Sequence, residues 1–270
     1  MLSELQKQVL AVLGKLRDDT SYVAGGSALN VNRPRISDDI DIFHDAEREV
    51  VATAQRDVIA LREAKFSVSE ELMQYGLAEV VVKRGTEETT IQWMGETVLR
   101  FFPLQRDPIF GYRLHEADLA VNKAIASASR RKVRDIVDLV AIGESYLKLG
   151  PLVWAAADSK TPMSPKRMIE EIIHNAATHS AKEYGSVRAA APVDGAATLA
   201  AITRACEHAR AFCESMPVDT LGKLFIDQGG QPVAPTAGDV QSGRVILHGI
   251  SDYGAWPSIV GVAYPLPGSG

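Results

Sequence analysis

The sequence predicts an α/β (α+β) fold, a mixed sheet followed by a helical region. Three observations carry this. Residues 22–43 read strand, glycine turn, helix start, loop, strand (YVAGGSALNVNRPRISDDIDIF). Between residues 77 and 102 come three apolar strand runs separated by short turns. From Leu114 to Met216 the apolar residues recur at helical spacing. The chain has 270 residues, enough for one or two domains with a buried core.

Taken in order, Leu5, Val9, Val12 and Leu16 fall on one face of a helix over 2–16, an amphipathic element suited to packing on a sheet. Tyr22, Val23 and Ala24 form a short strand, which Gly25-Gly26-Ser27 breaks before a helix begins at Ala28-Leu29. The loop 30–37 holds Arg33, Pro34 and Arg35, and is therefore irregular and basic. A second strand covers 40–43. Val50, Ala54, Val58 and Leu61 repeat at helical spacing within a helix over 45–65. Strands over 77–83, 89–94 and 98–102 form a meander that ends the sheet near Pro103. Helices follow over 115–129, 132–149, 164–184 and 196–216, a bundle appended to the sheet. This divides the chain into 1–105, 106–216 and a Gly/Pro-rich segment 217–270. That last segment has strand candidates at 223–227 and 245–248, and its last dozen residues read as weakly ordered.

Bulk properties narrow the function. A net charge of −5 argues against a broad nonspecific nucleic-acid surface, while leaving room for local basic patches. The two cysteines, Cys206 and Cys213, lie on one helix roughly 10 Å apart by helical rise, too far for a disulfide. A reducing, cytoplasmic setting is expected. The first helix lacks a signal peptide's apolar run and cleavage site, and no stretch reaches membrane-spanning length. There is no GxxxxGK[ST] loop, no G-x-S-x-G elbow, and no metal-ligand spacing among the histidines.

The chemistry concentrates in residues 22–43. Asp39 and Asp41 are two apart on a strand, so their side chains leave the same face from adjacent rungs. Two neighbouring carboxylates repel, and a divalent cation between them, Mg²⁺ or Mn²⁺, relieves that. Gly25, Gly26 and Ser27 stand ahead of a helix start, where a backbone can approach phosphate closely. A phosphate cradle beside a metal-binding pair is equipment for phosphoryl or nucleotidyl transfer.

These residues, Gly25-Gly26-Ser27 followed by Asp39-Ile40-Asp41, resemble the signature of the polymerase-β-like nucleotidyltransferase superfamily. Within it the likeness is to AbiEii-type nucleotidyltransferases, the toxin half of many bacterial toxin–antitoxin pairs, and it covers about residues 20–145. The resemblance implies a polymerase-β-like nucleotidyltransferase sheet over 1–105 as catalytic domain. It implies transfer of an NMP from an NTP to an acceptor hydroxyl on RNA, such as a tRNA end, by a toxin held by an antitoxin protein. Later family motifs match Lys123, Arg130 or Arg131, Arg134-Asp135 and Asp138. By this reading Asp39, Asp41, Lys123 and Asp138 are catalytic; Gly25, Gly26, Ser27, Arg35 and Arg134 bind the nucleotide; Asp39 and Asp41 hold the metal.

Other expectations can be tested by geometry. Lys123 lies among Ala120, Val121, Ala124 and Ile125, so its ammonium is expected to reach out towards a triphosphate. Asp135 and Asp138 lie on a mostly apolar helix and need partners; Arg131 and Arg134, four residues upstream of each, are the local candidates. The superfamily's third carboxylate, on a later strand facing the pair, corresponds here to neutral Gln92, with Asp138 or Glu79 as substitutes. Ser37, two residues before Asp39, reads as an accessible hydroxyl where an added phosphate would obstruct the site. The resemblance implies antitoxins that modify such a hydroxyl. Two alternatives stay open: nucleotidylation of a small molecule, and a nucleotide-binding or interaction module lacking the third carboxylate.

Overall fold

The computed structural model describes residues 1–95, 99–157, 163–250 and 252–253. The last dozen residues, expected to be weakly ordered, lie outside them, as do Glu96 and Val98 of the anticipated last turn and strand.

Helix α1 (Glu4–Leu13) opens with a capping box between Ser3 and Gln6 and buries Leu5, Val9, Leu10 and Leu13. Strand β1 (Ser21–Ala24) is buried along its whole length. The short helix α2 (Gly25–Leu29) starts where β1 ends, and β2 (Asp39–His44) returns antiparallel to β1. Helix α3 (Val50–Glu63) buries Val50, Ala54, Val58 and Leu61, the face its spacing predicted. Then come β3 (Ser67–Gln74), β4 (Leu77–Arg84) and β5 (Glu87–Gly95), with β5 parallel to β2. On β4 and β5, Ala78, Val80, Val82, Ile91 and Trp93 face the core, so the polar residues between them face the other way.

After the two-residue strand β6 (Leu99–Arg100), β7 (Gln105–Asp107) and β8 (Gly111–Arg113) form a small antiparallel pair. Strand β8 lies parallel to β1. The result is a seven-stranded mixed sheet in the order β3-β4-β5-β2-β1-β8-β7.

The sheet differs from the expected meander in three places. Strand β3, absent from the sequence reading, is a largely exposed edge strand in which Val68 and Met73 pack against the core, and a bulge between Glu70 and Leu72 breaks their alternation. The run near 98–102 does not join the meander; Leu99 and Arg100 pair with β11 (Asp252–Tyr253). The sheet also continues to Arg113, past residue 105, because β8 finds a place beside the buried β1.

The helical region begins with α4 (Glu116–Ser129), capped by His115, and α5 (Val133–Ser145). Helix α6 (Leu149–Ala156) lies in the stretch after residue 149, where no helix was expected. Pro151 lies in its first turn, where no intrahelical N–H bond is lost. Gly150 lets α6 approach the next long helix closely, since a Cβ there would meet Phe212 at 2.7 Å. The helix expected over 164–184 is two, α7 (Pro165–Thr178) and α8 (Ala181–Gly185), because Ser180 starts a new capping box. Helix α9 (Gly195–Ser215) carries both cysteines, which are unpaired. Strand β9 (Leu224–Ile226), α10 (Ala237–Gln241) and β10 (Ile246–His248) follow, with β9 and β10 antiparallel. One contiguous core includes Val23, Ile42 and Trp93 of the sheet together with Ala120, Ile136 and Ile169 of the helices.

The segment after α8 has a further role. Ile36 N–H donates to Arg188 O at 2.8 Å and Ala190 N–H to Pro34 O at 2.9 Å, so residues 188–190 strap the loop that precedes β2. Among the described residues no helix is long and apolar enough to cross a membrane.

Candidate active site

The β1–α2 turn and the start of β2 lie in contact, which brings the two halves of the sequence motif together. Gly25 has φ +62°, a conformation that favours glycine, and a Cβ there would sit 1.7 Å from Asp41 Oδ2. At Gly26 a Cβ would meet Arg35 Nη2 at 2.5 Å and Ser37 Oγ at 2.7 Å. The glycines therefore let the turn press against Asp41 and against the Arg35–Ser37 loop. Ser27 is fully buried, and its Oγ has no hydrogen-bond partner among the described residues.

Asp39 and Asp41 are both partly accessible and alternate with the buried Ile40 and Ile42. Burial, reinforced by the Asp39 charge, pushes the Asp41 carboxyl up to about 7, despite the opposing influence of Lys123, Arg134 and the Gly26 amide. Arg134 reaches the pair from α5, with Nη2 3.2 Å from Asp39 Oδ2. Its other terminal nitrogen lies 3.9 Å from Asp38, which Arg188 of the strap also meets at 3.1 Å. Ser37 corrects the expectation of an accessible hydroxyl. It is 1% exposed, and its Oγ donates to Asp39 Oδ1 at 2.8 Å, because the strap and α1 close over the loop.

Behind the pair lies a buried ionic cluster. Asp138 accepts two parallel bonds from Arg35, Nε to Oδ1 at 2.5 Å and Nη2 to Oδ2 at 2.9 Å. Asn30 Nδ2 adds a bond to Oδ1 at 2.9 Å. Lys123 Nζ sits between Asp135 Oδ1 at 2.7 Å and Asp138 Oδ2 at 3.0 Å. Arg130 completes the cluster on Asp135 Oδ2 at 2.8 Å.

Three expectations are corrected here. Lys123 does not extend outwards; it is 7% exposed and bridges two carboxylates. Arg131 and Arg134 are not the partners of Asp135 and Asp138. Arg131 turns to His174 and Arg134 to Asp39, while residues from other elements reach the buried carboxylates. Asp138 does not replace the third carboxylate, because both its oxygens are already engaged in the core. Arg35, by the same geometry, faces Asp138 from a buried position.

The cluster gives a pH prediction. Burial alone would raise the Asp135 carboxyl; Lys123 and Arg130 outweigh it and hold the group at about 2. The folded state thus favours the ionised form. That contribution is complete above pH ~4 and is lost as pH falls towards 2, on the order of 2 kcal/mol. Unfolding free energies measured across this window should fall more steeply for wild type than for Asp135→Asn. Parallel curves would remove Asp135 from the acid response.

Beside Asp41 the register places Gln92, and beside Gln92 it places Glu79 of β4. Gln92 Nε2 donates to Glu79 Oε2. Among the described residues no group of three or more His, Cys, Asp or Glu side chains could hold a metal; Asp39 and Asp41 are two carboxylates on one face of β2. The pair nevertheless suits a hard divalent cation. Both are carboxylates on one face, and burial together with the Asp39 charge disfavours the ionised form of Asp41, which a cation would relieve.

Sequence reasoning missed Asn30, Asp38 and Arg188. Asn30 ends α2 with no motif to mark it, and Arg188 reaches Asp38 across 150 residues.

No family model matches the chain, and neither does any curated protein. Solved structures do match. A protein of H. pylori provisionally assigned as a nucleotidyltransferase aligns over 78% of this chain and 97% of its own, with TM-score 0.51 and 15% identity. MenT4, a nucleotidyltransferase toxin of Mycobacterium tuberculosis H37Rv, aligns over 80% of this chain and 83% of its own, with TM-score 0.53 and 15% identity. At that identity the likeness is one of fold, which this chain shares with these two proteins.

Proposed function

We propose that the chain is a metal-dependent nucleotidyltransferase that moves an NMP from an NTP to an acceptor hydroxyl on RNA, in a toxin-like role. The observation that carries this is Asp39 and Asp41 side by side over the Gly25-Gly26 turn, with Asp41 pushed up to about 7 by burial and by its neighbour. In the reaction the acceptor hydroxyl loses its proton to solvent as its oxygen bonds to the α-phosphorus, the bond from that phosphorus to the α–β bridging oxygen breaks, and pyrophosphate leaves. Mg²⁺ or Mn²⁺, when bound, neutralises phosphate charge and orders the phosphate oxygens.

The chain's own residues divide the remaining work. Asp39 and Asp41 hold the cation. Gly25 and Gly26 let the turn close onto Asp41 and the Arg35–Ser37 loop, which sets the turn that would cradle phosphate beside the carboxylate pair, and Ser27 lies behind them. Arg134, 31% exposed at the side chain and already beside Asp39, is the cation best placed to meet phosphate. Lys123 and Asp138 act from behind, Lys123 by its positive potential on Asp41 and Asp138 by fixing Arg35 and Lys123. Arg130, Arg131 and Lys132 are consecutive and exposed between α4 and α5, a local basic patch on an otherwise acidic chain, which favours an RNA acceptor over a small neutral one. A toxin-like role is supported by the likeness to MenT4 and would bring an antitoxin as partner.

Incubating the protein with labelled NTPs, Mg²⁺ and total RNA tests the reading. Label in RNA is the expected result. Label in neither RNA nor small molecules, with NTP still bound, would leave a binding module. Arg134→Ala should weaken NTP affinity about 10-fold while leaving nucleoside affinity unchanged, since guanidinium meets phosphate and not base. Equal losses in calorimetry would assign Arg134 to structure.

A further inference from the structure

We propose that Gln92 is a neutral oxygen ligand of the cation held by Asp39 and Asp41, and that Glu79 is the positioning residue that orients its amide. The inference rests on the metal reading above and deepens it. Asp41, Gln92 and Glu79 are in-register neighbours on β2, β5 and β4, so their side chains leave the same face of the sheet in one row. Gln92 stands in the middle of that row. Adjacent strands are about 4.8 Å apart, a gap that a glutamine side chain spans.

The chemistry of the outer neighbour fixes which end of the amide faces which way. A carboxylate accepts hydrogen bonds and donates none, so the end of Gln92 bound to Glu79 is the NH₂. The carbonyl oxygen Oε1 is then the end left for the Asp41 side. A carboxylate at position 92 would add a third negative charge beside a pair already in conflict; an amide supplies a hard oxygen without that charge. Asp138, the other candidate for a third donor, is committed to Arg35, Lys123 and Asn30. Glu79 acts as an orienting partner does behind a metal ligand, holding the ligand's other atom.

Mn²⁺ affinity of the full chain, read by electron paramagnetic resonance without NTP, tests this with Gln92→Ala, Glu79→Ala, Gln92→Glu and Asp41→Asn. Gln92→Ala and Glu79→Ala should each weaken binding about 10-fold, and Gln92→Glu should tighten it. In ¹⁵N spectra of the wild type, the Gln92 side-chain NH₂ signal should shift on Mg²⁺ addition and stay still in Asp41→Asn. Binding that drops in Asp41→Asn but is unchanged in Gln92→Ala and Glu79→Ala overturns this inference and keeps the metal site. A Gln92 signal unmoved by saturating Mg²⁺ in the wild type overturns it independently of how any variant folds. Binding unchanged in Asp41→Asn overturns the metal reading itself.

Discussion

Asp39→Asn and Asp41→Asn are each expected to lower nucleotide transfer by about 10²–10³-fold, with weaker binding of Mg²⁺–NTP than in wild type. Each substitution keeps side-chain size and removes one unit of charge from the cation site. Metal stabilisation of transferring phosphate amounts to several kcal/mol, and each ~1.4 kcal/mol is a factor of ten in rate. The effect on stability should be opposite in character. Without metal the folded state holds Asp41 at about 7 because its charge is buried beside Asp39, so the ionised form is disfavoured. At pH 8 the metal-free Asp41→Asn protein should therefore unfold at a temperature no lower than wild type. An inactive variant of undiminished stability marks a residue kept for chemistry at a cost to the fold. If Asp41→Asn bound Mg²⁺–NTP as tightly as wild type, the pair would not be the metal site.

What the sequence disclosed and what it hid follow from the range of the interactions. The turn Gly25-Gly26 and the strand Asp39–His44 were legible because glycine permissiveness and period-two alternation are local signals. The amphipathic helices were legible for the same reason, although Ser180 divides one of them and α6 was not among those expected. Strand β3 was hidden because its core contacts, Val68 and Met73, lie on either side of a bulge that breaks the alternation, and the rest of it is exposed. The partners of Asp135 and Asp138 were hidden for a different reason. Local helical geometry offered Arg131 and Arg134, but Arg35 lies 103 residues from Asp138. A side chain's apolar neighbours in sequence likewise suggested that Lys123 points outwards, whereas the fold puts two carboxylates beside its ammonium. The row Asp41–Gln92–Glu79 needs the register of three strands, which no spacing in the sequence supplies.

Asp138→Ala is expected to be the most destabilising single substitution at the site, by about 3–5 kcal/mol, because it leaves two buried cations without their shared carboxylate. Asp138 is fully buried and joins three elements. Arg35 comes from the loop before β2, Asn30 from the end of α2, and Lys123 from α4. Burial works against its charge, yet Lys123 and Arg35 keep the carboxyl below the usual carboxylate range, so the ionised form is the one the fold uses. Removing it strands the Arg35 guanidinium at 3% exposure and leaves Lys123 with Asp135 alone. Chemical denaturation at pH 7 measures the loss directly. A double-mutant cycle with Arg35→Met separates the pair's coupling from the desolvation of what remains. The coupling should be positive, with the double variant more stable than the sum of the two single losses predicts. Transfer by any Asp138→Ala protein that stays folded should fall as well, since Arg35 packs against Gly26 beside the phosphate turn. A loss below about 1 kcal/mol, with activity abolished, would instead make Asp138 a residue that acts on substrate and not an anchor of the fold.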